Sequence, residues 1–381
     1  MGIAACTSPP AIGESAEPPA DRRSLLRLGP LQVADVNGVR LPPGFTSRIV
    51  ARSGVAPVAG RPYRWHEAPD GGAIFAMPDA GWIYVSNSEV HGGRGGVGAL
   101  RFDANALVVD AYPILAGTSF NCAGGPTPWG TWLSCEEHPK GQVWECDPRG
   151  VSPARVRPAL GTFTHEAVAV DPATGQLYLT EDLPDGRWYR FTPEHVSPEG
   201  RAELDRGQLE AAVVDLTDGR VTWQAIPHPD GIPQPTRRQA ADSTRFNGGE
   251  GCWFANGRVY FTTKGDDRVW LYDIRAGRIR ILYDGESPQG ARSALHGVDN
   301  VTGARSGEVL VAEDNGDMQI VAIAADGRSA PILQIEGQDS SEIAGPAFDP
   351  SGTRLYFSSQ RGSTGDKDGG LTYEVSGPFP T

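Results

Sequence analysis

The sequence lacks two features that mark large functional classes. It has no apolar run of about 18 residues, so no segment is predicted to span a membrane as a helix. It also lacks a basic surplus, since 34 Lys and Arg stand against 47 Asp and Glu, with a formal net charge of −13. An acidic chain of this kind is not expected to bind nucleic acid, whose phosphates require basic side chains. The surplus acid serves either solubility or the binding of cations.

Several catalytic and metal-binding signatures are also missing. Only seven histidines occur, with no His-Glu-x-x-His motif. The five cysteines form no Cys-x-x-Cys pair, so no zinc site is implied. The chain has neither a Gly-x-Ser-x-Gly nucleophile elbow nor a P-loop. These absences disfavour zinc enzymes, α/β-hydrolases and P-loop nucleotidases.

Glycine and proline are abundant, with 49 and 32 residues, and 39% of the chain is hydrophobic. This composition is typical of many short strands joined by tight turns. A length of 381 residues allows two domains, but β architectures often form one domain of this size.

The first 40 residues are rich in Pro, Ala and Ser, and we interpret them as a disordered leader. Ile3-Ala4-Ala5-Cys6 is similar to the cleavage motif of a bacterial lipoprotein. Arg22-Arg23-Ser24-Leu25-Leu26 is similar to a twin-arginine export motif. Neither is accompanied by the apolar segment of a signal peptide. We expect the remnant of an export signal and a periplasmic or extracellular protein, with or without a lipid anchor; chance matches are the alternative.

Six segments share a small residue, alternating hydrophobic residues, Ser or Thr, and then an acid or amide. They are residues 81–89, 130–137, 175–182, 257–266, 307–314 and 353–360. Most follow one another at about 45–50 residues, the spacing of propeller blades. The longest gap contains a Pro-rich, charged stretch at 193–243, which we interpret as an insertion.

Each repeat is flanked by further hydrophobic runs, so each unit is predicted to be an antiparallel meander. The predicted fold class is therefore all-β: a six-bladed β-propeller with an insertion around residues 193–243. Residues 41–381 are expected to form this single domain. The segment at 45–51 is expected to help close the ring in the last blade.

The start of the first strand and the end of the second strand should meet at one rim of the channel. The starts carry Asn121-Cys122, His165-Glu166, Gly249-Glu250 and Asp299-Asn300. The ends carry Asn87/Glu89, Glu136-Glu137, Glu181-Asp182, Asp266-Asp267, Glu313-Asp314-Asn315 and Gln360. Converging oxygen ligands are what Ca²⁺ prefers, and one thiolate beside them would suit iron. The sequence thus predicts a metal site at this mouth.

Cys122 opens a Gly-rich turn at the predicted mouth, and three other cysteines are expected to have different roles. Cys135 and Cys146 flank a turn and form either a disulfide or two buried thiols. Cys252 is expected in the core. For Cys122 we favour a metal ligand, with an inert thiol or a nucleophile working with His165 as alternatives. His165 itself is either catalytic or a donor that orients a ligand carboxylate.

The order of five motifs resembles the PhoX-type alkaline phosphatases. These motifs are NCAGGPTPWGTWLSCEE, HEAVAVDP…LYLTED, GGEGCWF…VYFTTKGD, GVDN…VAEDNGDMQI and GPAFDPSG…LYFSSQRG. The resemblance covers about Leu41 to Pro378. It implies a six-bladed propeller, twin-arginine export and hydrolysis of phosphomonoesters at a cluster of Fe³⁺ and Ca²⁺.

The resemblance also implies site residues. Cys122, Glu166 and Glu250 match positions that hold iron. Possible calcium ligands are Asn87, Glu89, Asn121, Glu136, Glu137, Glu181, Asp182, Asn300, Glu313 and Asp314, of which Glu137, Asp182 and Asn300 come from the rim pattern alone. An Arg that holds phosphate is expected two residues before Glu250, but Gly248 stands there. Arg245 and Arg361 are the candidates to replace it.

The function expected from these observations is hydrolysis of a small phosphate ester by a monomeric, metal-dependent enzyme. Two alternatives stay open at this point. One is a calcium-dependent propeller lactonase or phosphotriesterase, which needs no thiolate. The other is a calcium-stabilised propeller that binds a partner without catalysis. A propeller fold alone does not choose among these functions.

Overall fold

The computed structural model describes residues 24–288, 290 and 293–380. These residues form six antiparallel sheets of four or five strands, each sheet being one blade of a β-propeller. The first strands of successive blades contact one another, and that of blade six contacts that of blade one, so the ring closes around a central channel. The predicted fold class is confirmed.

Two strands precede the first blade: β1 (Val39–Arg40) and β2 (Thr46–Arg52). Blade one contains β3 (Pro69–Ala76), β4 (Trp82–Ser88), β5 (Gly95–Phe102) and β6 (Val108–Thr118). Blade two contains β7 (Asn121–Pro126), β8 (Trp132–Glu136), β9 (Val143–Cys146) and β10 (Arg155–Val156). Blade three contains β11 (His165–Val170), β12 (Leu177–Glu181), β13 (Trp188–Pro193), β14 (Gly207–Val214) and β15 (Val221–Ala225).

Blade four contains β16 (Gly249–Ala255), β17 (Arg258–Thr263), β18 (Arg268–Asp273) and β19 (Arg278–Asp284). Blade five contains β20 (Val298–Gly303), β21 (Val309–Glu313), β22 (Gln319–Ile323) and β23 (Ser329–Ile335). Blade six contains β24 (Ile343–Phe348), β25 (Arg354–Ser359) and β26 (Leu371–Ser376). The described helices are α1 (Thr236–Gln239) and the 3-10 turns Leu25–Arg27, Pro158–Leu160, Lys264–Asp266 and Lys367–Gly369. No helix among the described residues is long and apolar enough to cross a membrane.

The N-terminal segment closes the ring. Strand β2 pairs with β26 as the outermost strand of blade six, as expected for residues 45–51, and β1 pairs with β23 at the edge of blade five. Leu25 is buried against blade five, and Ser24 hydrogen-bonds Glu308. The predicted leader boundary at residue 40 therefore lies too late in the chain. Ser24-Leu25-Leu26 of the twin-arginine-like motif is folded onto the propeller, whereas Cys6 and Arg22-Arg23 lie outside the described residues.

The stretch at 193–243 is only partly an insertion. Its strand β14 is the fourth strand of blade three, and β15 extends the same sheet by one more. The remainder, which includes α1, lies against this blade: Thr236 is fully buried, and its hydroxyl is 3.3 Å from that of Tyr189. The longer spacing between the third and fourth repeats thus reflects a larger blade and a covering loop.

The apolar core is divided into six clusters, each between two neighbouring blades. Trp188 of blade three, for example, stacks on Phe261 of blade four with ring centroids 4.8 Å apart. Second strands such as β8, β12 and β21 are buried along their whole length because both blade faces are covered. Cys135, Cys146 and Cys252 are buried free thiols in these clusters, so the disulfide alternative for the first two is not what the structure shows.

Candidate metal centre

Every first strand contains a β-bulge near the same end of the channel. In each, two residues lie opposite a single residue of the second strand. The first residue of each pair defines the bulge positions: Asp70, Cys122, Glu166, Glu250, Asp299 and Gly345. The second residue is small or compact, and a Cβ added at Gly71 would lie 2.5 Å from the Cα of Ala123. A bulge re-aims side chains and bends the strand, and here it supplies four carboxylates and a thiol to one end of the channel.

A second set of side chains follows the second strand of each blade. These rim positions are Glu89, Glu137, Asp182, Lys264, Asp314 and Gln360. They lie at the same end as the bulges because the first and second strands are antiparallel. Gln360, for instance, donates a hydrogen bond of 2.9 Å to Glu89 Oε2 and another to Asp70. Blade six has Gly345 at its bulge, and its acid comes from Glu342 just before the strand.

Bulge and rim side chains converge on one cluster. We call it the mouth cluster, and it consists of Asp70, Glu89, Cys122, Glu137, Glu166, Glu250, Asp299, Asp314 and Glu342. Within it, four overlapping groups of three residues have ligand atoms within 4.8 Å of one another. Glu166 and Asp299 each belong to two groups, as does Glu342, so the groups run on around the mouth. The thiol of Cys122 is 3.2 Å from Glu166 Oε1 and 3.7 Å from Asp70 Oδ2.

Burial and mutual repulsion perturb these groups strongly. Burial, with neighbouring carboxylates as the next cause, raises the pKa of Asp70, Glu166 and Glu250 well above the usual range. The same causes raise the pKa of Glu137 to about 9. For Asp299 the burial effect is partly offset by Lys264, and its pKa is about 6. Such pKa shifts mark sites where a cation would relieve both desolvation and repulsion.

One buried oxygen in the cluster has neither a hydrogen bond nor an ion pair with any described residue. Glu166 is fully buried, and its Oε2 accepts no hydrogen bond. A buried oxygen without a partner costs free energy that a metal ion would remove. Hard carboxylate oxygens with one thiol fit Ca²⁺ together with a transition ion such as iron. The residues present therefore fit the metal set implied by the sequence.

Two cationic side chains reach the cluster. Lys264 Nζ lies 2.9 Å from Glu250 Oε1 and 3.3 Å from Asp314 Oδ2. Arg361 Nη2 lies 3.3 Å from Glu342 Oε2, and the Arg361 side chain is about one-third exposed at 34%. Eight carboxyl groups thus face two positive charges, so the mouth has a large negative excess when its carboxyl groups are ionised.

The paired acids of the sequence divide into two roles. Glu136, Glu181 and Glu313 point away from the mouth cluster, and we call them the anchoring carboxylates. Each accepts a hydrogen bond from the backbone N–H six residues later, at 3.3, 3.1 and 2.9 Å respectively. Further donors include Trp144 Nε1 to Glu136 and the Tyr189 hydroxyl to Glu181. The expectation that these three bind metal is corrected, because their oxygens already hold the third strand.

The predicted amide ligands also serve the fold. Asn87 donates to the carbonyls of Cys122 and Ala123, at 3.0 and 2.7 Å, and its Oδ1 accepts two hydrogen bonds from blade two. Asn121 bridges Thr118 and Ser134. Asn300 Oδ1 accepts from the N–H of Gly345, while its amide donates to Asp299. These amides fix the bulges of their own or adjacent blades, so none of them lies in the mouth cluster as a ligand.

Two candidate catalytic residues lie elsewhere. His165 is fully buried, stacks on Phe163 at 3.6 Å between ring centroids, and hydrogen-bonds the Gly161 carbonyl. Burial lowers its pKa to about 3, so it stays neutral and does not reach the mouth. Arg245 is exposed and forms no ion pair within the described part of the chain. Of the three predicted catalytic residues, the structure brings only Arg361 to the cluster.

The resemblance leads us to expect Arg at position 248, but the backbone conformation there favours the glycine that the sequence has. Its φ of +69° lies in the left-handed region, which a side chain tolerates poorly. A Cβ there would also lie 3.2 Å from Asp182 Oδ1. Asp182 adjoins Glu137 and helps to raise the pKa of that carboxyl. It is thus at the mouth but outside the four close groups.

Four further residues lie at the mouth that the sequence patterns do not predict as site residues: Asp70, Lys264, Asp299 and Glu342. Asp70 lies in Pro69-Asp70-Gly71-Gly72, which resembles a turn more than a strand. The rim pattern includes both Asp299 and Asn300, but it predicts Asn300 and not Asp299 as the metal ligand. Alignment of the six first strands on a carboxylate or thiol followed by a small residue would have found Asp70 and Asp299. Lys264 follows the second strand of its repeat, at the position where the other repeats have an acid or amide, whereas Glu342 has no comparable signal.

Comparison with known families and structures gives consistent results. A family model described as alkaline phosphatase PhoX matches residues 84–144 and 138–280, together more than half of the chain. PhoX of Pseudomonas fluorescens, solved in complex with vanadate as a transition state analogue, superposes with a TM-score of 0.76 at 17% identity. The match covers 93% of this chain and 98% of that chain.

A second solved structure is more distant. XC5397 from Xanthomonas campestris, a gluconolactonase, superposes with a TM-score of 0.51 at 14% identity, covering 92% of this chain and 98% of that chain. At such identities both structures show the fold alone. No curated protein matches this chain by sequence.

Proposed function

Because the chain belongs to the alkaline phosphatase PhoX family, we propose that it hydrolyses small phosphate monoesters at metal ions held by the mouth cluster. The observation that carries the proposal is the convergence of eight carboxylates and one thiol from the six blades, with Glu166 Oε2 buried and unpaired. Without cations this arrangement would repel a phosphate dianion. The proposal therefore requires bound metal for substrate to enter.

The metal ligands we propose are the members of the mouth cluster. Cys122 with Glu166 and Glu250 would hold iron, and the remaining members would hold calcium: Asp70, Glu89, Glu137, Asp299, Asp314 and Glu342. Metal ions bound there act as Lewis acids towards a phosphate ester. In the empty cluster, burial and the adjacent Asp70 and Glu166 raise the pKa of the Cys122 thiol, so that it holds its proton until a cation is present.

Arg361 is the residue proposed to bind the phosphate group. Its guanidinium is partly exposed and lies beside Glu342, close enough to Glu89 and Asp314 for their charges to raise its pKa further. Guanidinium groups bind phosphate oxygens in a bidentate manner. With metal ions on the carboxylates, Arg361 becomes available to the substrate and orients the phosphoryl group at the mouth.

The test combines metal analysis with an activity assay on the full chain. Protein purified without chelator should contain calcium and iron and hydrolyse an aryl phosphate, and chelation should abolish both properties. Cys122→Ala and Glu250→Gln should each lower hydrolysis by about 100-fold or more, as expected for loss of electrostatic stabilisation. A visible absorption band from thiolate-bound iron should disappear in Cys122→Ala. Glu199→Gln, on the exposed surface, is the matched control.

Three outcomes would reject the proposal. Wild-type protein with calcium but no iron that opens lactones and leaves phosphate esters intact would favour the lactonase alternative. Calcium-dependent stability without turnover of either substrate would favour a binding propeller. Unchanged aryl phosphate hydrolysis in Cys122→Ala and Glu250→Gln would show that the chemistry occurs elsewhere.

Export and the monomeric state also belong to this proposal. The lipoprotein-like motif at Cys6 supports export, and fractionation of cells expressing the full chain tests it. Closed blades leave little strand edge for pairing with another chain, which supports a monomer. Sedimentation of the purified protein measures the latter directly.

A further inference from the structure

The six rim positions are equivalent in the propeller, but one carries the opposite charge. Five have oxygen-bearing side chains, and the sixth, on blade four, is Lys264. Its ammonium contacts Glu250 at 2.9 Å and Asp314 at 3.3 Å. These two carboxylates belong to neighbouring groups of the mouth cluster that share Asp299. Lys264 therefore lies between two candidate metal-binding groups.

The backbone around Lys264 is held in place. Its N–H donates to the carbonyl of Gly248 at 2.8 Å, and the next N–H donates to the carbonyl of Asn247 at 3.0 Å. A Cβ at Gly248 would lie 3.9 Å from the Cβ of Lys264, which is an ordinary van der Waals distance, so the two residues adjoin each other. The backbone of Lys264 is thus fixed by the fold, and its side chain, which is 36% exposed, reaches Glu250 and Asp314.

We propose that Lys264 is a built-in cation that takes the place of one divalent metal ion in the mouth cluster. This inference deepens the proposed function, since it assumes that metal ions fill other parts of the cluster. A calcium ion bound by Glu250 and Asp314 would approach their oxygens to about 2.4 Å. The ammonium already lies close to the same oxygens, and repulsion between the two cations would prevent both from binding there.

It follows that Lys264 of blade four determines how many metal ions the mouth cluster binds. An ammonium group has three N–H donors, and the two contacts to Glu250 and Asp314 leave one uncommitted. Lys264 therefore neutralises the charge of Glu250 and Asp314, which would otherwise require a further metal ion. Its third N–H stays available to an anionic ligand. A glutamate or aspartate at this position, as on blades one, two, three and five, would complete another cation site.

The test measures bound metal directly and does not depend on activity. Lys264→Met removes the charge and retains the length of the side chain, whereas Lys264→Arg retains the charge. After saturation with calcium and removal of free ions, Lys264→Met should hold about one more divalent ion per chain than wild type. Lys264→Arg should hold the wild-type number. Lys140→Met, which removes an exposed lysine, is the control and should also match wild type.

An unchanged or lower metal count in Lys264→Met would overturn the inference. If that variant does not fold, Lys264→Gln carries the same expectation, and an unchanged count there would overturn it equally. The metal content of the wild-type protein is a separate test of the proposed function. A metal-free wild type with a metal-binding Lys264→Met would reject the proposed function and support the role of Lys264; metal-free samples of both would reject both.

Discussion

The mouth cluster and the anchoring carboxylates contain the same types of acidic side chain at adjacent positions in the chain. The two sets nevertheless serve opposite purposes. Glu136 and Glu137 are neighbours in the chain, yet the first is surrounded by three N–H donors and the second by other acids. The pairs Glu181-Asp182 and Glu313-Asp314 divide in the same way. The difference arises from strand alternation, which sends successive side chains to opposite sides.

The contrast shows which carboxylates need a metal. An anchoring carboxylate has its oxygens satisfied by the protein, so a cation would compete with hydrogen bonds that already exist. A mouth carboxylate faces like charges, and Glu166 Oε2 accepts no hydrogen bond within the part of the chain that the structure describes. The two sets therefore differ in their surroundings, and we expect metal ions only where other acids surround a carboxylate.

The largest expected effect comes from comparing the two members of one pair. Glu137→Gln should lower calcium affinity by about 10-fold or more, because ligand charge sets the affinity of such sites. The stability of the metal-free protein should stay the same or rise, since the change relieves repulsion. Calcium titration by calorimetry and thermal unfolding in chelator measure the two quantities.

Glu136→Ala should behave in the reverse manner. It leaves the N–H groups of Ser119 and Gln142 and the indole of Trp144 without their acceptor. The expected loss is about 3 kcal/mol of unfolding free energy, with calcium affinity nearly unchanged. Equal effects of both substitutions on calcium affinity would remove the distinction between the two sets.

A smaller effect is expected from pH in the metal-free protein. Burial raises the pKa of Glu137 from 4.5 to about 9. For a carboxyl whose folded pKa is raised, the stabilising contribution is fully present below pH 4.5 and is lost as the pH rises towards 9. Asp299, with a pKa of about 6, adds to the loss in the lower part of this range. The melting temperature in chelator should therefore fall by about 5 °C or more from pH 5 to pH 8.

Calcium should flatten this profile, because bound ions stabilise the ionised carboxylates and bind only the folded chain. The control is Glu137→Gln, which should show a shallower fall in chelator than wild type. If the melting temperature of the metal-free wild type rises with pH, ionisation of the mouth carboxylates does not destabilise the folded state, and the expectation is wrong.

The contrast also explains what could be predicted from the sequence. The propeller followed from six repeats whose hydrophobic second strands end in acid, and the mouth followed from the antiparallel geometry of each unit. Cys122, Glu166, Glu250, Glu89, Glu137 and Asp314 were placed correctly at the mouth by this reasoning. The bulges were not predicted, because first strands of six to eight residues are too short for a one-residue shift in the alternation to stand out.

The remaining differences have equally local causes. Asn87, Asn121 and Asn300 have the atoms of calcium ligands, but the structure uses those atoms to fix backbone bulges. His165 opens a strand at the mouth, yet it precedes the bulge and its ring points into an aromatic core with Phe163. Side-chain direction at a bulge depends on the register of the partner strand, which single residues do not reveal.

The smallest expected effect concerns the two thiols of blade two. Cys122 and Cys135 lie on neighbouring strands, with Cys135 opposite the bulge of Cys122, yet only Cys122 is partly exposed, at the mouth. After chelation, alkylation at Cys122 should be about 10-fold faster than at Cys135, because accessibility controls thiol reactivity. Burial raises the pKa of both thiols, which keeps both rates low. Peptide mapping separates these sites from Cys6, and calcium with iron should protect Cys122 alone. Equal labelling of the two thiols would place Cys122 in the core with Cys135 and remove the thiol from the proposed metal ligands.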